Sequence, residues 1–87
     1  SICDLHTVDM TTSKVLPIIS KIEHSYTKVA MCPTSYQFAA RDHFGTIDVY
    51  SLTSENPKQV ATFGPSHCQN TFNWLPCGTQ LLIQEHN

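Results

Sequence analysis

Eighty-seven residues, 40% hydrophobic and 14% charged with a formal net charge of −2, leave room for one small domain with a modest core. The few basic residues, Lys14, Lys21, Lys28, Arg41 and Lys58, are scattered, which argues against the basic stripe that direct nucleic-acid or anionic-membrane binding needs. No apolar run approaches the roughly 20 residues that cross a bilayer, so membrane insertion is not expected.

In chain order, Ile2–Val8 is apolar at alternate positions and predicts a short strand, closed by the polar turn Asp9–Ser13. Val15–Ile19 is rich in branched residues, but Pro17 has no N–H to donate, which puts this strand at a sheet edge. Ser20–Tyr26 is a polar connection containing His24. Lys28–Leu52 then holds three apolar runs, Val29–Cys32, Phe38–Ala40 and Thr46–Tyr50. The turns Pro33-Thr34-Ser35 and Asp42-His43-Phe44-Gly45 separate them, which is the pattern of a three-stranded meander. Thr53–Pro57 is a loop by composition, Gln59–Phe63 alternates as an edge strand does, and Gly64–His67 is a turn. Thr71–Leu75, Pro76-Cys77-Gly78 and Leu81–Ile83 give strand, tight turn and strand. With no helical periodicity sustained anywhere, the expectation is an all-β chain of eight short strands.

The chain also repeats itself. A shift of 43 residues lays His24 on His67, Pro33 on Pro76, Gln37 on Gln80 and His43 on His86. Val29, Met31 and Cys32 meet Phe72, Trp74 and Leu75, and Phe38-Ala39-Ala40 meets Leu81-Leu82-Ile83. A shift of 42 brings Val8-Asp9-Met10-Thr11 onto Tyr50-Ser51-Leu52-Thr53. Four strands in about 40–45 residues is the period of a β-propeller blade.

On these residues the sequence resembles the WD40 family. His67, Phe72–Gly78 and Leu81–Ile83 follow the first half of that family's repeat, and His24, Val29–Ser35, Phe44–Ile47 and Val49–Leu52 follow a whole one. Val8-Asp9-Met10 matches the end of another. Tyr50-Ser51 stands where Trp-Asp is usual and Phe44 where the turn Asp is usual, so the resemblance implies a divergent blade with an incomplete His–Ser/Thr–Asp–Trp network. It implies antiparallel four-stranded blades of a β-propeller, with 1–23 ending one blade, 24–66 forming one nearly complete blade and 67–87 starting the next. Two blades' worth is less than the four, or about 160 residues, of the smallest ring. The expectation is therefore a fragment of a larger ring, completed by the remainder of its own propeller or by neighbouring subunits.

Motifs for chemistry are sparse. Cys3, Cys32, Cys68 and Cys77 are even in number, but no CxxC occurs. In propeller register an extended strand holds Cys68 and Cys77 about 20 Å apart, against a limit of about 7 Å for bridged Cα atoms. Reduced thiols are the expectation. His67-Cys68 and Cys3 with His6 lack partner pairs at zinc-finger spacing. There is no nucleophile elbow, phosphate loop or paired-carboxylate motif. The expectation is a non-enzymatic protein–protein interaction scaffold without cofactor, metal or catalytic residues, cytoplasmic or nuclear. The alternatives are a propeller accessory domain of a prolyl-peptidase-type hydrolase and a small secreted domain held by disulfides. His24 and His67 are expected to be structural, and Met31 and Trp74 to be core. Loops at one end of such a blade carry the expected contact residues: Tyr26, Arg41, His43, Phe44, Gln69 and His86.

Overall fold

A computed structural model describes residues 5–19, 26–53, 57–66 and 69–86, with the backbone alone for 5 and 16–19. His24, His67, Cys3 and Cys68 lie outside the described residues. The described chain is all-β, with eight antiparallel strands in three sheets. β1 (Leu5–Asp9) and β2 (Lys14–Ile19) form a two-stranded ribbon. β3 (Tyr26–Met31), β4 (Gln37–Asp42), β5 (Ile47–Ser51) and β6 (Lys58–Phe63) form a four-stranded meander in sequence order. β7 (Gln69–Trp74) and β8 (Leu81–His86) form the last hairpin. Among the described residues no helix is long and apolar enough to cross a membrane.

The 43-residue repeat is visible in hydrogen-bond register. Met31 pairs with Phe38 and Trp74 with Leu81; Ala30 pairs with Ala39 and Asn73 with Leu82. The turns close alike, with Cys32 N–H donating to Gln37 O at 2.8 Å and Leu75 N–H to Gln80 O at 3.0 Å. In the β1–β2 ribbon Pro17 faces His6, and among the described residues β2 has no second partner strand, which suits a residue without an N–H. β6 is likewise an edge, exposed at every position.

Alternation along β4 and β5 gives the central sheet two apolar faces. Tyr26, Phe38 and Ala40, with Tyr50 and Leu52, make a front face. Ala39, Ile47 and Val49 make the back face, and Phe72 packs there with Trp74, Leu81 and Ile83. Phe72 is 0% exposed, so the core of the molecule is the seam between the back of the meander and the front of the β7–β8 hairpin. β3 and β7 are the strands that approach across this seam. Among the described residues, no strand of the other two sheets lies against β1 or β2.

Two expectations are corrected. Met31, expected in the core, is 55% exposed because its side chain points to the front face at the end of β3, where no described strand covers it. Trp74, its repeat equivalent, is half-buried because the meander does cover it. Tyr26, expected in the loop before the strand, is the first residue of β3 and is buried. A bulge after Tyr26 lets it pair with Asp42 and turn its ring against Tyr50.

Candidate functional site

The end of the sheets that carries the β4–β5 turn is held by backbone chemistry first. Asp42 is buried, and its Oδ1 accepts the N–H of Phe44 at 2.9 Å and of Thr46 at 3.0 Å. An aspartate satisfying turn amides in this way fixes the loop without help from neighbours. Gly45 completes the turn at φ +81°, a conformation that side chains disfavour. Its carbonyl accepts from Asn70 Nδ2 at 2.9 Å, so β7 is tied to the turn. Phe44 O accepts the N–H of Ser66 at 3.3 Å, and Ser66 Oγ donates to Glu85 Oε2 at 2.7 Å.

These bonds bring the six expected contact positions to one end of the molecule, but in different roles. Arg41 is the penultimate residue of β4. Its guanidinium is half-buried, with Nε donating to Asn70 Oδ1 and Nη1 to Thr27 Oγ1 at 3.2 Å. It joins β3, β4 and β7. Tyr26 is turned inward, and its hydroxyl donates to Asp48 Oδ2 at 2.8 Å. Gln69 and His86 are exposed and face each other in register, with His86 Nε2 3.4 Å from Thr71 Oγ1. His43 and Phe44 project from the turn with ring centroids 4.0 Å apart, and Phe44 is 57% exposed. Of the six, this pair is the one that offers apolar surface to solvent.

A buried polar cluster escaped sequence reading. Asp48 lies inside β5, accepting from Tyr26 at one oxygen and from Thr62 Oγ1 at the other, at 2.8 Å each. Tyr50 OH stands 3.0 Å from Tyr26 OH and its ring stacks on Phe38 at 5.4 Å. Burial, then the Tyr50 and Asp48 bonds, push the Tyr26 phenol above its ordinary range. The residues come from three strands, so only strand pairing assembles them. The available signal was an acid inside the apolar run Ile47–Tyr50.

The opposite end carries Cys32 and Cys77, both free. Cys32 Sγ is 3.4 Å from Gly78 O, accepts from Ser35 Oγ at 3.2 Å and lies 3.7 Å from Thr34 Oγ1. Burial opposes its ionisation, but the bonds from Ser35 and Thr34 outweigh that and hold the thiol below its ordinary value. Exposed Cys77 is also lowered, by Thr79 Oγ1 at 3.2 Å. Cys32, Pro33, Thr34, Ser35, Tyr36 and Thr53 line an open recess of about 540 Å³. Its lining has no charged side chain and no histidine to serve as a base. Among the described residues, no three His, Cys, Asp or Glu side chains gather where they would hold a metal ion.

No family model, no curated protein and no solved structure matches this chain.

Proposed function

We propose that the chain is a segment of a WD40-like β-propeller, about two blades' worth, that serves as a non-enzymatic scaffold for protein–protein interaction. The observation that carries this reading is the seam: the front of the β7–β8 hairpin lies on the back of the meander, and both hairpins share one register. Sheets repeating face to back, closest at their first strands, generate a radial stack. In that frame β1–β2 supplies the outer two strands of one blade, the meander is a whole blade, and β7–β8 supplies the inner two of the next.

The contact surface of the scaffold is the rim around His43 and Phe44. Phe44 hangs on a turn whose shape Asp42 and Gly45 maintain, so its ring is free to anchor a partner. Arg41 belongs to the framework under this rim. In the full-length protein, Phe44→Ala should weaken capture of a partner tenfold or more while thermal stability changes little, and Lys58→Ala on the far edge should leave capture unchanged. Equal capture by the Phe44 variant and the parent would overturn the assignment.

A further inference from the structure

Two cations stand directly opposite each other on the back of the meander. Lys28 pairs with Arg41 across β3 and β4, on the face that Ala30 and Ala39 turn toward the β7–β8 hairpin. Lys28 Nζ donates to Phe72 O at 3.1 Å, and Arg41 donates to Asn70 Oδ1 and Thr27 Oγ1. All of these acceptors are neutral. Among the described residues, neither cation has a carboxylate within ion-pair distance. Glu85, the acid of β8, gives its Oε2 to Ser66 at 2.7 Å instead. Like charges paired in this way destabilise a sheet. The architecture does not ask for them: a shift of 43 residues lays uncharged Thr71 and Gln84 on these positions, and those two also pair in register.

Arg41 has donors left over. Its guanidinium fork carries more N–H groups than the bonds from Nε and Nη1 consume. Nη2 bonds to no described residue. Among the described residues no buried side-chain nitrogen or oxygen lacks a partner, so Nη2 is open to solvent. The amide of Asn70 fixes where that group lies. It is 4% exposed, accepts from Arg41 Nε through Oδ1 and donates to Gly45 O through Nδ2. One buried side chain thereby holds the guanidinium beside the turn that carries His43 and Phe44. The strands that meet here, β3, β4 and β7, all belong to the chain, so the site lies within the seam and away from the open edges of β1 and β8.

We infer that this end of the seam takes a carboxylate of a partner peptide on Arg41 Nη2, with the charge of Lys28 on the same face and an apolar neighbour of that carboxylate on the Phe44 ring. This rests on the scaffold reading above and gives its partner a chemistry, an acidic peptide with an apolar residue close by. A carboxylate engages the vacant donors in charge-assisted bonds and offsets the repulsion between the paired cations. A phosphate ester suits the site less well. Lys28 already gives a bond to Phe72 O, and Glu85 puts negative charge on the facing hairpin, which a doubly charged group feels more strongly.

The test uses the full-length protein and fluorescent peptides with a Gly-Ser background. Each carries one leucine followed, one to three residues on, by Glu, Gln or phosphoserine, and binding is read by anisotropy. At the best spacing the Glu peptide should bind about tenfold more tightly than its Gln twin, and its affinity should fall as ionic strength rises. Arg41→Gln, which copies the residue at the equivalent position of β8, should abolish the preference for Glu. Equal binding of the Glu and Gln peptides to the parent protein would overturn the inference, and that comparison needs no variant to fold. A preference for phosphoserine over Glu of about tenfold would also overturn it, by making a phosphopeptide the partner. Loss of partner capture in Phe44→Ala alongside equal Glu and Gln binding would remove this inference alone and leave the scaffold reading standing.

Discussion

Asp48 is a buried acid on the front face of the sheet and depends on its surroundings for hydrogen-bond donors. A buried carboxylate is costly without donors, and here Tyr26 and Thr62 supply them from β3 and β6 on either side of β5. Tyr26→Phe removes one charge-assisted bond and should cost about 2 kcal/mol in denaturant titration. The pH dependence follows from the same hydroxyl. Its folded pKa is raised above the unfolded value of about 10. The stability it contributes is therefore full below pH of about 10 and is lost as pH rises beyond it. The denaturation midpoint should fall on the alkaline side, and less steeply in Tyr26→Phe; an equal slope in both proteins would refute this. The two described thiols differ in access. Cys77, exposed and lowered by Thr79, should alkylate well before buried Cys32 when peptide masses are followed in time.

At the scale of elements, the β3–β4 and β7–β8 turns meet. Gly78 sits at φ +74°, and a Cβ there would overlap the Thr34 hydroxyl and come 2.9 Å from Thr34 Cβ. Gly78→Ala should therefore destabilise the chain by more than about 1 kcal/mol through strain and overpacking together. Adding Thr34→Gly should recover only the overpacking part, which a double-mutant cycle reads directly.

Much of this level was legible in the sequence. Period-2 runs bounded by Pro, Gly and Asp place all eight strands in the described chain, and the 43-residue shift anticipates the common register of the two hairpins. Ends were harder to see. Tyr26 joins β3 through a bulge, which no local pattern signals, and Arg41 extends β4 by pairing with Lys28 and Ile47, while its side-chain partner Asn70 is 29 residues away. For the same reason the six expected contact positions lie at one end, while burial and pairing assign Tyr26 and Arg41 to the framework and leave His43 and Phe44 facing solvent. Met31 misleads because a strand pattern marks a face as apolar without saying what covers it.

On the scale of the whole molecule, stability comes from a seam between sheets. Phe72 fills its centre, Trp74 Nε1 donates to Ala30 O at 2.9 Å, and Lys28 Nζ donates to Phe72 O at 3.1 Å while lying 4.8 Å from the Phe72 ring centroid. Phe72→Ala should cost about 3–5 kcal/mol and release the β7–β8 hairpin. The same geometry leaves Val29, Met31 and Leu82 uncovered on the outer faces of the stack, and apolar surface placed there favours association with a further sheet. The central claim, that the sheets stack front on back as successive blades do, is tested most directly by methyl–aromatic nuclear Overhauser effects in solution. The account predicts contacts from the Phe72 ring to Ala39, Ile47 and Val49 of the same chain. Contacts instead to the front-face residues Phe38, Ala40 and Tyr50, or none to either face, would contradict it.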